Sequence, residues 1–357
     1  MPTDAEFSSD YAEARQRFVE ICSGAGLETR SHRNPRTGPN GEPLYTDRVV
    51  IGPSGADRVL IVNSANHGVE GFSGSAALIG WLRSGFLARL PENTKVVLIH
   101  ALNPHGFAWL RRVNEDNVDL NRNFVDHHSP KPENPEYEQI HDHILPENWS
   151  EDVESGIRKA LEVTERQRGL LAMQSLICRG QYHRRDGVFY GGERPAWSHG
   201  VFLDIVRENA VDANRVVLLD FHTGLGAFGE PELICAAPPD AHVRNWFTDR
   251  VTSARLGNAV GPGLSGAIGQ GLRRTLPEAS VYSITVEFGT YDIYRVLMAI
   301  LADNWLHTRG DPDSDAGAAI KKEMRRCFFP DTEEWREKVR SASLRILDQA
   351  LAGISGE

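Results

Sequence analysis

Arg58-Val-Leu-Ile-Val-Asn-Ser-Ala-Asn-His-Gly-Val-Glu-Gly71 is the stretch that decides the fold. Val59 to Val62 are four aliphatic residues in a row, bounded by polar ones. An apolar run without alternation marks a strand covered on both faces. The run ends in a glycine-flanked turn that carries His67 and Glu70, three residues apart. An imidazole and a carboxylate at that spacing, at the end of a strand, can both face one small cation.

The same pattern recurs along the chain. Thr94 to Ala101 is a second apolar strand and runs into Asn103-Pro-His-Gly106. Arg215 to Phe221 is a third and delivers His222. Glu232 to Ala236 is a fourth. Val281 to Val286 is a fifth and delivers Glu287. Shorter strands are expected over Leu27 to Arg33 and Leu44 to Ile51. Helical spacing covers Tyr11 to Ile21 after a Ser9 cap, Ser73 to Leu87, about Glu151 to Ile177, Gly200 to Glu208 and Ala241 to Asn258. A last amphipathic helix follows Asp331-Thr332, with Trp335, Val339, Ala342 and Ile346 on one face.

Buried strands alternating with helices predict an α/β fold: a mixed, mostly parallel central sheet with helices on both faces. No linker composition divides the chain, so residues 1–357 are expected to form a single domain, with an insertion at about 126–200 whose first part is irregular and rich in Pro, His and Asn. In such sheets ligands bind beyond the carboxyl ends of the strands. His67, Glu70, His222 and Glu287 all fall there.

Composition limits the function classes. The chain has 357 residues, 40% hydrophobic and 25% charged, enough for a sizeable core. A net charge of −10 argues against nucleic-acid or acidic-membrane binding, both of which need a basic face. The start of the sequence shows no basic-then-apolar secretion signal, and no apolar stretch approaches a membrane span. Cys22, Cys178, Cys235 and Cys327 are widely spaced, which fits free thiols in a reducing cytoplasm.

Two His and a Glu are a three-ligand set for one catalytic Zn²⁺ per chain, with water in the fourth position. His67, Glu70 and His222 would supply it. Zinc lowers the pKa of its water to roughly 7, and a nearby carboxylate can take that proton and pass it to a leaving amine. Glu287, at the end of an apolar strand, suits that role; an unpaired carboxylate there needs a reason to exist. The segment Asn103 to Phe124 adds Arg111, Arg112 and Arg122 among several amides, a composition suited to holding anions.

The motifs in order are His-x-x-Glu, Asn-Pro-x-Gly, Arg, Asp119-Leu-Asn-Arg-Asn123, a strand-borne His, and Tyr282-Ser-x-Thr-x-Glu287. Over about residues 55 to 300 this pattern resembles the carboxypeptidase A family of zinc peptidases, whose metal is held by a His₂Glu set. The Arg179-Gly-Gln-Tyr182 and Phe189-Tyr-Gly-Gly192 segments are similar to a bacterial branch of it. The resemblance implies a zinc carboxypeptidase-like fold with His67, Glu70 and His222 as ligands and Glu287 as general base and acid. It implies Asp119 as the carboxylate that orients His67. Arg112, with Arg111 as fallback, would polarise the scissile carbonyl, and Asn121 and Arg122 would grip the substrate's terminal carboxylate. The family's mobile tyrosine has no evident counterpart between His222 and Glu287; Tyr190 is the substitute considered. Arg273 and Arg274 would favour acidic side chains if they faced inward. The expected activity is cleavage of an amide beside a free carboxylate in a short or modified peptide. The alternatives are an N-acyl-amino-acid deacylase of the aspartoacylase and succinylglutamate desuccinylase type, and an inert metal-containing binding protein.

Three other signals fail on context. Gly261-Pro-Gly-Leu-Ser-Gly266 matches a dinucleotide fingerprint but follows no apolar strand. Asp311, Asp313, Asp315 and Gly317 suggest a calcium loop, yet Lys322 stands where a bidentate Glu is required. His127, His128, His141 and His143 lie in the Pro-rich insertion and read as solvated.

Overall fold

The computed structural model describes residues 6–235, 241–253 and 264–356. In chain order its strands are β1 (Thr29–Thr37), β2 (Pro43–Ile51), β3 (Arg58–Asn63), β4 (Thr94–His100), β5 (Arg215–Phe228), β6 (Pro231–Cys235), β7 (Val251–Ser253) and β8 (Ser280–Gly289). They form one eight-stranded sheet in the order β1-β2-β4-β3-β5-β8-β6-β7. Four of its seven pairings are parallel, and these include the central β4-β3-β5-β8 ladder. The expected mixed, mostly parallel sheet is what the chain forms.

The unbroken apolar runs have the predicted cause. Val59 to Val62 and Val216 to Leu219 are all fully buried, because successive residues feed opposite faces of the sheet. Leu60, Val62, Val217 and Leu219 pack into a core with Phe18, Trp81 and Ile346, from the helices Tyr11–Gly24, Gly71–Arg83 and Glu333–Ser355. Val59, Ile61, Val216 and Leu218 pack on the other face with Phe202, Ile205 and Leu272, from the helices Trp197–Ala210 and Ile268–Thr275. Each such side chain stabilises the fold by roughly 1.5–3 kcal/mol, so β3 and β5 give the site a firmly packed base.

The structure differs from the sequence reading at several places. Residues 135–144 form a helix (Pro135–Ile144), with Pro at its first turn, in a stretch expected to be irregular. The single helix expected over 151–177 is two, Glu151–Arg168 and Leu170–Cys178, divided at Gly169. The helix expected over 241–258 is limited to Ala241–Arg244, followed by β7; residues 254–258 lie outside the described residues, as do 261–263 of the glycine fingerprint. Among the helices that went unread are the long pair Ile293–Thr308 and Asp315–Phe328. They form a third core with the helices of residues 135–178, bringing Ile157, Met173 and Ile177 against Val296, Leu301 and Phe328. Among the described residues no helix is long and apolar enough to cross a membrane.

Candidate metal centre

The turn after β3 is pinned from two sides. Gly68 N–H donates to the Arg112 carbonyl at 3.1 Å, and Val69 N–H to the Arg111 carbonyl at 2.9 Å. The two backbones approach so closely that a Cβ on Gly68 would lie 2.0 Å from the Gly106 carbonyl carbon. Glycine is therefore obligatory there, and the Asn103-Pro-His-Gly106 segment is its counterpart. Asn103 caps that short helix through Gly106 N–H at 2.9 Å. The next turn of chain, Gly68–Glu70, is a 3₁₀ turn that aims His67 and Glu70 inward.

His222 and Glu287 arrive on neighbouring parallel strands, where they are register partners across the β5–β8 pair. They point to the same face, and that face meets the His67 turn. His67 Nδ1 lies 2.9 Å from Glu70 Oε1, His222 Nδ1 lies 2.9 Å from Glu70 Oε2, and the two Nδ1 atoms are 3.0 Å apart. All three residues are buried. Among the described residues they are the one group of three or more His, Cys, Asp or Glu whose ligand atoms all lie within 4.8 Å of one another. The structure thus brings the three expected ligands together. His127, His128, His141 and His143 are not gathered; His127, for instance, faces the carbonyls of Glu193 and Asn123.

Each ring's far nitrogen is held by a carboxylate. His67 Nε2 is 3.2 Å from Asp119 Oδ1, and His222 Nε2 is 2.6 Å from Asp220 Oδ2. Asp119 was foreseen. Asp220 was not, although the signal was present: an acid two residues before His222 on one apolar strand must share its face. Asp220 is in turn gripped by Asn63 Nδ2 at 2.7 Å and Asn66 Nδ2 at 3.0 Å. A ring that donates from Nε2 presents only a lone pair at Nδ1. Two such lone pairs and a carboxylate converging in a buried space supply three ligand atoms for one cation. The spacing is also close to the roughly 3.3 Å that separates ligand atoms around a tetrahedral ion with bonds of about 2.0 Å. The residues fit a divalent metal.

The charged groups of the site act on one another. Burial alone would lower the His222 imidazole pKa, but Asp220 and Glu70 outweigh it and hold it well above the usual value. Burial would likewise raise Glu70 and Asp119; His67 and His222 hold Glu70 low, while Arg112, Arg122 and His67 hold Asp119 low. Glu287 behaves oppositely. Partial burial at the cavity wall, then the Glu70 charge, pushes its carboxyl up to about 7. Its Oε1 accepts from Leu225 N–H at 3.1 Å.

Arg112 touches all three groups around the first ring: Glu70 Oε1 at 3.2 Å, Asp119 Oδ2 at 3.1 Å and His67 Nε2 at 2.8 Å. His67 Nε2 can donate to Asp119 or accept from Arg112, and only the first tautomer frees Nδ1 for an ion. Arg111, the fallback, turns away to a buried pair with Asp303 at 3.1 Å. Asn121 accepts from Ile268 N–H at 2.9 Å, which leaves its NH₂ for the pocket. Arg122 donates to the carbonyls of Cys178 and Asn121, and its guanidinium carbon lies 5.5 Å from the centre of the Phe189 ring, with that of Arg112 at 5.2 Å.

His67, Arg112, Asn121, Arg122, His222 and Glu287 line one cavity of about 1030 Å³, counting space open to solvent. Cys178, Arg179 and Phe189, from the 126–200 segment, form part of its wall. Tyr190 is buried and lines a separate depression with Arg185 and Glu193, so it is not brought to the site. Arg273 and Arg274 face the carbonyls of Val281 and Phe124, away from the cavity lining.

The chain belongs to the DUF2817 family, described as "Protein of unknown function", which matches residues 7–342. A search of curated proteins found no match in sequence. Among solved structures, carboxypeptidase A from Helicoverpa armigera is 13% identical with a TM-score of 0.47, covering 90% of this chain and 74% of that one. Bovine thrombin-activatable fibrinolysis inhibitor, in complex with tick carboxypeptidase inhibitor, is 12% identical with a TM-score of 0.45, covering 96% and 99%. A Shewanella amazonensis protein named for the succinylglutamate desuccinylase/aspartoacylase family is 18% identical with a TM-score of 0.39, covering 78% and 72%.

Proposed function

We propose that this chain is a zinc-dependent hydrolase that cleaves an amide next to a free carboxylate, first of all a carboxypeptidase on short or modified peptides. The observation that carries the reading is the convergence of His67, Glu70 and His222 with Glu287 on the same cavity wall. A bound Zn²⁺ supplies a polarised water with a pKa near 7. The rest of the chemistry falls to the chain's own side chains. Glu287 takes a proton as the water oxygen bonds to the amide carbon, and returns it to the nitrogen as the C–N bond breaks. Arg112 brings fixed positive charge to where the carbonyl oxygen becomes an anion. Asn121 and Arg122 hold the carboxylate of the leaving amino acid. Asp119 and Asp220 keep the two imidazoles turned with Nδ1 inward.

A second reading is an N-acyl-amino-acid deacylase. It is favoured by the cavity's surface near Glu287, where a Cβ on Gly224 would lie 3.2 Å from Glu287 Oε1, 3.6 Å from Phe328 and 4.0 Å from Val296. That apolar flank suits an acyl group. Among the described lining residues Glu287 is the one carboxylate, so a free peptide amine has no acidic partner there.

Metal content and turnover of the wild type, His67→Ala and Glu287→Gln test the reading, using dipeptides and N-acyl amino acids side by side. His67→Ala is expected to lose the metal. Glu287→Gln is expected to keep it and to lose turnover by about 10²–10⁴-fold. Hydrolysis by Glu287→Gln at the wild-type rate would overturn the mechanism.

A further inference from the structure

The chain as a whole is acidic, with 49 Asp and Glu against 39 Lys and Arg. The cavity is the reverse: Arg112, Arg122 and Arg179 line it against Glu287 alone among the described residues. Two of these guanidinium groups already have protein partners, with donor hydrogens to spare. Arg112 is bound to Glu70 and Asp119, and Arg122 to backbone carbonyls. Arg179 is different. It is exposed, and no described residue pairs with its side chain.

Its position is fixed by its neighbours. The Cys178 carbonyl accepts from Arg122 Nε at 3.1 Å, and a Cβ on Gly180 would lie 2.7 Å from Arg122 Cδ. Arg179 is therefore held between two residues that clasp the Arg122 side chain. Gly180 adopts φ +99°, a conformation that lets the chain turn past Arg122 at that distance. Of the three arginines that line the cavity, Arg179 is the exposed one, while Arg122 is buried and Arg112 half-buried.

We propose that Arg179 is a specificity residue, selecting substrates whose carboxylate-bearing residue carries a second negative charge. The inference rests on the reading that Asn121 and Arg122 hold the first carboxylate. The substrate class is then an amide of an acidic amino acid, with its apolar acyl side against Val296 and Phe328.

The test uses the full-length, zinc-loaded protein and matched pairs, N-acetyl-Leu-Glu against N-acetyl-Leu-Gln and N-acyl-glutamate against N-acyl-glutamine. The wild type should show a KM for the glutamate member about five- to tenfold below that of its glutamine partner, with similar kcat. The preference should shrink as ionic strength rises, because Arg179 is exposed. R179Q should raise the glutamate KM to the glutamine level, and R179E should reverse the preference towards a lysine substrate. Equal KM values for the two members in the wild type would overturn the proposal while leaving the hydrolase reading intact. So would a loss of kcat, equal for both, in R179Q. If neither pair is turned over, the hydrolase reading fails, and calorimetry with the same four compounds decides the inference separately. Tighter glutamate binding that R179Q abolishes supports it, and equal binding overturns it.

Discussion

Glu287 shows most plainly how position sets chemistry. Its carboxyl is pushed up to about 7 by the wall around it and by Glu70. In the proposed role of base it must be ionised, so turnover is expected to fall as pH drops through 7, with the midpoint drawn lower by the field of a bound cation; a pH–rate profile of kcat/KM checks this. Stability follows the opposite sign. A folded pKa above the unfolded value of 4.5 means that the fold favours the neutral form, so this contribution is full below 4.5 and is lost as pH rises to about 7. In metal-free protein at pH 8, Glu287→Gln should therefore melt about 1–3 °C above wild type, and the gap should close below pH 4.5. Asp220 makes a second case. Asp220→Ala removes the partner of His222 Nε2 and strands Asn63 and Asn66, so metal affinity measured by chelator competition should drop about 10–100-fold. The proposed ligands were legible as a set because they follow apolar runs. Asp220 was not, since it reads as one more residue of the strand that carries His222. Arg179 was hidden for another reason: its place beside Arg122 depends on contacts between segments 56 residues apart.

The elements divide in the same way. Strands β3, β4, β5 and β8 could be read from their unbroken apolar runs, because both faces of a parallel sheet are covered. The helix Ile293–Thr308 could not. Val296 to Asn304 are all buried, so it shows no polar stripe with a helical period, and it follows directly on the strand of Glu287. Gly169 splits the 151–178 region for a reason visible only in three dimensions, a φ of +85°. The turn that presents His67 is the element most exposed to damage. Gly68→Ala must push the Gly106 backbone away, and equilibrium unfolding should show a loss of about 2–4 kcal/mol together with weakened metal binding.

At the scale of the whole molecule, the centre joins parts that are distant in the chain. His67 leaves the end of β3, His222 rides on β5, and Asp119 and Arg112 come from the segment after β4. A metal held by His67, Glu70 and His222 should act as a cross-link between these parts. At an excess of about 1,000 Kd it would stabilise the fold by about 4 kcal/mol, so chelation should lower the melting temperature by roughly 5 °C. A melting temperature unchanged by chelation of metal-loaded protein would count against that linkage. His222 and Glu287 meet through the ladder of β5 and β8, residue opposite residue. Sliding that ladder by a single step would turn Glu287 to the far side and put Val286 or Phe288 in its place. The separation of His222 from Glu287 is thus guarded by main-chain amides along two strands. On heating, the proposed hydrolase has no half-working arrangement of these two strands to pass through, and its activity should persist until the sheet itself gives way.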